Sequence, residues 1–238
     1  RNVGLALPLI ALQYHEVKIN ISYANGADLV TEAVKASHIK LQDAALWVDY
    51  IFLDTDERRR FAQLSHEYLI EQLQFTGTDV IDSGTGSMKS VRMTFNHPCK
   101  ELVWVIKGDT VTNTTPYWNN FSDKIDNTYV TSKNPVTKAK IQLNGNDRFA
   151  ERAGTYFSIV QPYQHHESTP SVYNGGINVY SFALKPEEHQ PSGTLNMSRI
   201  DTAVLSVQSS MKGSIQIYAV NYNVLRILSG MGGLAYSN

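Results

Sequence analysis

His165, His166 and Glu167 are consecutive, and imidazole nitrogens beside a carboxylate are the donor set of a zinc or iron site. The spacing argues against one. Neighbouring residues of a regular strand point to opposite faces, so His165 and His166 would not reach the same ion. We expect a hydrogen-bonded corner between Pro162 and Pro170, with the imidazoles serving turn backbone. His97-Pro98-Cys99 places the sole thiol near an imidazole, a pairing that can lower a thiol pKa and make a nucleophile. The intervening proline stiffens a turn, and Cys99 borders an apolar run, which favours a buried structural cysteine. No Gly-x-Ser-x-Gly elbow accompanies the many Ser, His and Asp residues. Gly84-Thr85-Gly86 echoes a phosphate loop but lacks the lysine, the third glycine and the following helix, so it reads as a loop tip. Arg58-Arg59-Arg60 follows Asp54, Asp56 and Glu57, which balance it locally, and reads as a solvated or interface face. No catalytic, cofactor-binding or metal-ligating residue is assigned, and no enzyme activity is expected. Asn-x-Ser/Thr sequons occur at Asn20, Asn113, Asn120 and Asn196; Asn113 and Asn120 lie in polar, turn-rich sequence and are the candidate glycosylation sites.

The elements that would carry these residues sit in a chain of 238 residues with 21 Lys+Arg against 22 Asp+Glu. The net charge of −1 supplies no cation excess to displace counterions from a phosphate backbone, which argues against direct nucleic-acid binding. One cysteine allows no internal disulfide, so the fold must stand on packing. The apolar stretch Asn2 to Tyr14 is broken by Pro8 and is shorter than the ~20 residues of a spanning helix. The chain starts at Arg1 and runs at once into apolar sequence, from which we expect a processed product or the downstream part of a longer polypeptide.

His15 to Tyr23 alternates Val17, Ile19, Ile21 and Tyr23 with polar residues, the period of a half-buried strand. Ile39 to Leu53 is rich in β-branched and aromatic residues and reads as a long strand. Asp54 or Thr55 caps a short helix reaching Ser65. Strand patterns follow at Tyr68–Phe75, Ser90–Phe95, Leu102–Ile106, Ile141–Leu143, Ile177–Leu184, Ala203–Val207, Ile215–Tyr222 and Val224–Leu228, with a turn at Asn144-Gly145; Phe149–Val160 fits either a helix or a strand. The predicted core includes Trp47, Trp104, Ile106, Val179, Phe182 and Ile217. Surface loops are expected at about 77–89 and 107–138. Many short strands without βαβ alternation predict an all-β antiparallel sandwich or barrel in a single domain, 1–238.

Leu7 to Val17, His97 to Trp104, Val160 to His166 and above all Asn178 to Asp201, with Lys185-Pro186-Glu187-Glu188-His189-Gln190-Pro191-Ser192-Gly193-Thr194, resemble the major capsid proteins of nucleocytoplasmic large DNA viruses, the iridovirus and chlorovirus type. Ala219 to Ala235 resembles that family's C-terminus. The resemblance implies an eight-stranded jelly roll, the C-terminal one of two, with one or two short helices and long inter-strand loops. It implies a structural subunit of an icosahedral capsid, late in expression, that forms pseudo-hexagonal homotrimeric capsomers with the N-terminal jelly roll of the same protein. Implied partners are neighbouring capsomers, minor capsid proteins and, at the base, an internal membrane; the implied location is the virion, assembled in host cytoplasm. The Pro186–Gly193 segment is expected to form a corner or subunit contact, with Ser192 or Asn196 capping a helical turn. A rival reading from the residues is a carbohydrate-binding or cupin-like jelly roll that holds a small ligand through Tyr117, Trp118 or the His165-His166 pair.

Overall fold

The computed structural model describes residues 2–24, 40–82, 86–109, 120–124, 133–168 and 175–236. Their contacts divide into two compact units, 1–71 with 223–238, and 72–222.

The eleven strands of the described residues are β1 (His66–Ile81), β2 (Lys89–Met93), β3 (Pro98–Gly108), β4 (Val136–Leu143), β5 (Asn146–Asp147), β6 (Arg152–Ala153), β7 (Ile177–Ser181), β8 (Leu195–Asn196), β9 (Ala203–Ser209), β10 (Gly213–Leu228) and β11 (Met231–Leu234). They belong mostly to the larger unit, while β11, the start of β1 and the end of β10 belong to the smaller one. One sheet runs β1-β10-β3-β7, with β11 on β10 and β8 on β3; the other runs β2-β9-β4-β5, with β6 on β4. The β10–β3, β3–β7, β2–β9 and β4–β9 ladders are antiparallel. Successive long strands switch between the sheets, so two four-strand rows face each other as in a jelly roll. The two sheets hold eleven strands among the described residues where eight were expected, and β5, β6 and β8 have two residues each.

Between the sheets lie Leu102, Trp104 and Ile106 of β3, Ile215, Ile217 and Ala219 of β10, and Leu205 and Val207 of β9, all buried. Trp104 is fully enclosed and tilts against Phe157, ring centroids 5.1 Å apart. Ile106, Val179 and Ile217 are buried as expected, while Phe182 is only partly buried against this core. Asn144 and Gly145 both take positive φ, 50° and 80°, the conformation of a two-residue hairpin turn, here between β4 and β5. Phe149–Val160 resolves into β6 and a π-helical turn, Tyr156–Val160, that runs into a short helix, Gln161–His165.

The expected loops are shorter than the sequence suggested. Gly77 to Ile81 belongs to β1, and the 107–138 segment begins in β3 and ends in β4. Part of its middle is anchored: Ser122 is buried, Asp123 N–H donates to Lys133 O, and Lys133 N–H donates to Asp123 Oδ1.

The smaller unit contains helix α1 (Thr55–Gln63), capped as expected by Asp54, whose Oδ1 accepts from Glu57 N–H at 2.9 Å. Arg59 pairs loosely with Asp56 at 3.8 Å, both exposed. Tyr14 N–H donates to Gly230 O, and Gly232 N–H to His15 Nδ1. The strands expected at His15–Tyr23 and across 40–53 do not form ladders among the described residues. Val17, Ile19, Ile21 and Tyr23 are 49–62% exposed, and Trp47, expected in the core, is 92% exposed. An extended segment buries one face only when another strand or sheet covers it, and none of the described residues does so here. No helix among the described residues is long and apolar enough to cross a membrane.

Candidate functional site

Two features stand out, one in each unit. In the larger unit the sequence-distant residues Lys100, Glu101, His166 and Glu187 converge. Their convergence begins with a register shift: Val220 of β10 pairs with Glu101, but Asn221 pairs with Cys99. Lys100 is therefore the extra residue of a β-bulge, which breaks strict alternation and re-aims side chains. Lys100 is buried; its Nζ donates to Pro186 O at 2.6 Å and lies 5.5 Å from the Tyr222 ring centre. Its carbonyl accepts from Phe182 N–H and Ala183 N–H.

His166 caps the end of the Gln161–His165 helix, with its N–H on Pro162 O at 2.8 Å. Its Nδ1 lies 2.8 Å from Glu187 Oε1, and its Nε2 lies 3.1 Å from Glu101 Oε2. The second contact is an ion-pair approach rather than an aligned hydrogen bond. Glu187 Oε2 also accepts from Glu167 N–H at 3.0 Å. That backbone donor and the His166 ring hold the Glu187 carboxyl below the usual carboxylate range. His165 turns elsewhere, its Nδ1 2.9 Å from Leu184 O. The segment expected as a corner between Pro162 and Pro170 begins instead as the Gln161–His165 helix, Pro170 lies outside the described residues, and the histidines reach a second loop, Leu184 to Gly193.

That loop is closed on itself by Ser192, whose Oγ accepts from Lys185 N–H at 2.9 Å and donates to Lys185 O. Ser192 is a loop clamp rather than a helix cap; Asn196 does the capping, its Oδ1 accepting from Ser198 N–H in the turn Met197–Arg199. Among the described residues no three His, Cys, Asp or Glu side chains are grouped to hold a metal ion.

The remaining candidates separate. Cys99 is fully buried and its Sγ donates to Glu101 O at 3.2 Å; burial pushes the thiol up to about 12, the opposite of an activated nucleophile. His97 takes φ 68°, and its N–H donates to Ser198 Oγ at 2.8 Å, tying the start of β3 to the Met197 turn. Asn120 is half-buried: its Nδ2 donates to Lys124 O and its Oδ1 accepts from Ser122 Oγ–H and N–H. Asn113, Tyr117, Trp118, Gly84 and Thr85 lie outside the described residues. The rival small-ligand reading loses the histidine pair, because the two imidazoles do not converge on a common space.

The second feature is an apolar cleft of about 980 Å³ in the smaller unit, lined by Leu7, Val17, Ile19, Val48, Tyr50 and Phe61 among others. Phe52, in the same stretch, is 92% exposed. Apolar surface this continuous on a folded chain marks a contact face.

Comparison with known proteins assigns both features a context. A profile described as large eukaryotic DNA virus major capsid protein matches residues 57–233. The chain belongs to that family. The major capsid protein N-terminus profile matches residues 1–54, so the change of profile falls at α1. The chain is 53% identical to the major capsid protein of Pyramimonas orientalis virus, covering 100% of this chain and 59% of that one. It is 44% identical to the major capsid protein of Paramecium bursaria Chlorella virus 1, covering 99% and 64%. The chain therefore spans about three fifths of the length of these relatives. Among solved structures it aligns with a quasi-atomic model of the PBCV-1 virus capsid at TM-score 0.73 and 38% identity, over 100% of this chain and 68% of the other. The cluster of Lys100, Glu101, His166 and Glu187 belongs to the part that matches the capsid family profile and the apolar cleft mostly to the part that matches the N-terminal one.

Proposed function

We propose that this chain is the shell-building portion of a major capsid protein, a structural subunit of an icosahedral virion. The observation that carries the reading is its alignment over its whole length with a chain of the PBCV-1 capsid. A closed two-sheet barrel suits the role: it leaves short edges, so many copies can stand side by side without strand-to-strand aggregation. Near-zero net charge limits repulsion in a dense shell.

In this reading residues 57–233 form one jelly roll, while 1–54 supply the final strands of another whose remaining strands lie in the longer protein. The exposed stripe Val17, Ile19, Ile21 and Tyr23 and the apolar 46–52 stretch are the faces those strands cover. Three copies of the complete protein make a pseudo-hexagonal capsomer, which contacts neighbouring capsomers and minor capsid proteins, and whose base lies near an internal membrane. Assembly takes place in host cytoplasm, and the protein performs no catalysis and binds no cofactor. The segments between β1 and β2 and between β3 and β4 supply the outer surface, with Asn113 and Asn120 as glycan acceptors.

Sedimentation and cryo-electron microscopy of two proteins test the reading. The full-length product should form discrete trimers, whereas residues 1–238 alone should remain monomeric or aggregate irregularly, because interfaces of permanent assemblies commonly bury above ~2,000 Å² and are apolar. A full-length product that stays monomeric at high concentration overturns the capsomer reading. Discrete trimers of 1–238 alone overturn the requirement for the upstream strands. Intact-mass measurement of the virion protein reads glycan occupancy at the two asparagines.

A further inference from the structure

His15 and Gly232 are 217 positions apart in the sequence, yet Gly232 N–H donates to His15 Nδ1 at 3.1 Å. The hairpin that carries Gly232 is a firm platform. β10 and β11 pair with Leu228 opposite Met231, Ile227 opposite Gly232 and Arg226 opposite Gly233. Ser229 and Gly230 join them at φ 53° and 82°, the two positive values of a tight hairpin turn. Ile227 is buried. Beyond β11, Ala235 N–H donates to Val224 O, Tyr236 N–H donates to Asn223 Oδ1, and Asn223 Nδ2 donates to Tyr236 O, so the chain end is tied back to β10. Residues 12–15 belong to no sheet and follow a single turn, Leu9–Ala11. Their backbone groups still need partners, and the hairpin supplies one: Tyr14 N–H donates to Gly230 O at 3.0 Å. Each piece thus donates one hydrogen bond to the other.

Close approach explains two of the glycines. A first side-chain carbon at Gly230 would stand 2.5 Å from Tyr14 Cδ2, and one at Gly232 would stand 3.1 Å from Leu12 Cδ2 and 3.7 Å from His15 Nδ1. One at Gly233 would meet nothing within 4 Å. Neighbouring residues of a strand point to opposite faces, so residues 12–15 cover the Gly232 face of β11 and leave the Gly233 face open. Residues 12–15 match the N-terminal profile and the hairpin glycines match the other one, yet both sets belong to the same compact unit. We propose that the β10–β11 hairpin is a strap on the N-terminal segment: the end of the chain fixes residues 12–15, and the smaller unit is completed only once the C-terminal residues have folded. On the capsid reading above, completion of the upstream jelly roll then waits for the far end of the same chain; the strap itself is a property of residues 12–15 and 230–232 and stands apart from that reading.

Site-resolved hydrogen–deuterium exchange of the full-length protein tests the strap, because the Tyr14 and Gly232 amides are the donors of its two bonds. Gly232→Val sets a branched side chain against Leu12 and His15 and should cost the Tyr14 amide about tenfold in protection, while Gly233→Val, the same side chain one residue on, should leave it unchanged. Adding Leu12→Ala to Gly232→Val makes room and should restore most of the loss, a coupling that a merely disrupted hairpin would not show. A Tyr14 amide unchanged in Gly232→Val overturns the proposal, as does an equal loss in Gly233→Val or no recovery with Leu12→Ala. Should Gly232→Val fail to fold, His15→Ala decides: removing the acceptor at this exposed position should lower protection at Gly232 and Tyr14 together, and a Tyr14 amide that keeps its protection overturns the strap. Failure of the full-length protein to form trimers bears on the capsomer reading alone, since the two amides report the strap in either case.

Discussion

His15–Tyr23 and Gly213–Tyr222 carry the same signal and meet opposite ends. Each alternates apolar and polar residues with the period of a strand. In β10, Ile215, Ile217 and Ala219 point into a closed core, because β3 lies beside them in a long antiparallel ladder and the second sheet lies opposite. In the smaller unit, Val17, Ile19 and Ile21 have no second sheet among the described residues and are about half exposed or more. Alternation specifies that a segment owns an apolar face. What covers that face is a property of other strands.

The strongest test of this contrast sets two tryptophans against each other. Trp104→Ala should destabilise the chain by about 3–5 kcal/mol through lost burial and a cavity beside Phe157, while Trp47→Ala should change stability by no more than about 0.5 kcal/mol in the same chain. Denaturant unfolding of both variants measures the difference, and equal effects would erase the distinction between the two regions.

A second test asks whether the open face is covered in the longer protein. Ile19→Ser should be close to neutral in residues 1–238 and should cost about 1.5–3 kcal/mol in the full-length protein, where the proposed upstream strands bury it. Thermal melting of both lengths with and without the substitution reads this directly. Equal shifts in the two backgrounds would mean that the stripe faces solvent in both.

Cys99 probes how dry the closed region is. Its thiol is pushed from 9.0 to about 12 by burial, ahead of any effect of Glu101. The neutral thiol is the form the fold favours, so its stabilising share is intact below pH 9 and declines between about pH 9 and 12 as the unfolded chain ionises. At pH 10 the decline amounts to about 1.4 kcal/mol. Stability measured from pH 8 to 10.5 should fall more steeply in the native sequence than in Cys99→Ala, and alkylation of Cys99 should await unfolding.

The smallest effect is expected outside the sheets. Replacing Thr110–Asn119 by a short Gly-Ser linker should shift stability by less than about 1 kcal/mol, since loop closure depends weakly on length. Extending the deletion through 120–124 should cost about 1–3 kcal/mol, because it removes buried Ser122 and the paired hydrogen bonds of Asp123 with Lys133. Unfolding midpoints of the two deletions measure how much 120–124 contributes as an anchor.

The same contrast marks how far sequence reading reaches. Strands β2, β3, β7, β9 and β10, the Asp54 cap and the Asn144-Gly145 turn were legible because each depends on local rules: side-chain period, an N-terminal acceptor, or residues that tolerate positive φ. The burial of Cys99 was legible from its place at the edge of an apolar run. The helix at Gln161–His165 was not, although Pro162 in its first turn was a usable signal; flanking prolines made the segment read as a corner. Nor was Trp47 legible, since its neighbours have the composition of a buried strand and no way of declaring what lies opposite.

The cluster of Glu101, His166 and Glu187 was invisible for a different reason. Glu101, His166 and Glu187 are brought together by a bulge at Lys100 and by a loop folding back onto β3, neither of which has a spacing rule. By itself the sequence determined which segments are extended, which face of each is apolar and that no familiar catalytic spacing is present, because those properties are set within a few residues. The tertiary structure alone decided which apolar faces are covered, and that one histidine stands between two carboxylates, because both depend on contacts between residues far apart in the chain.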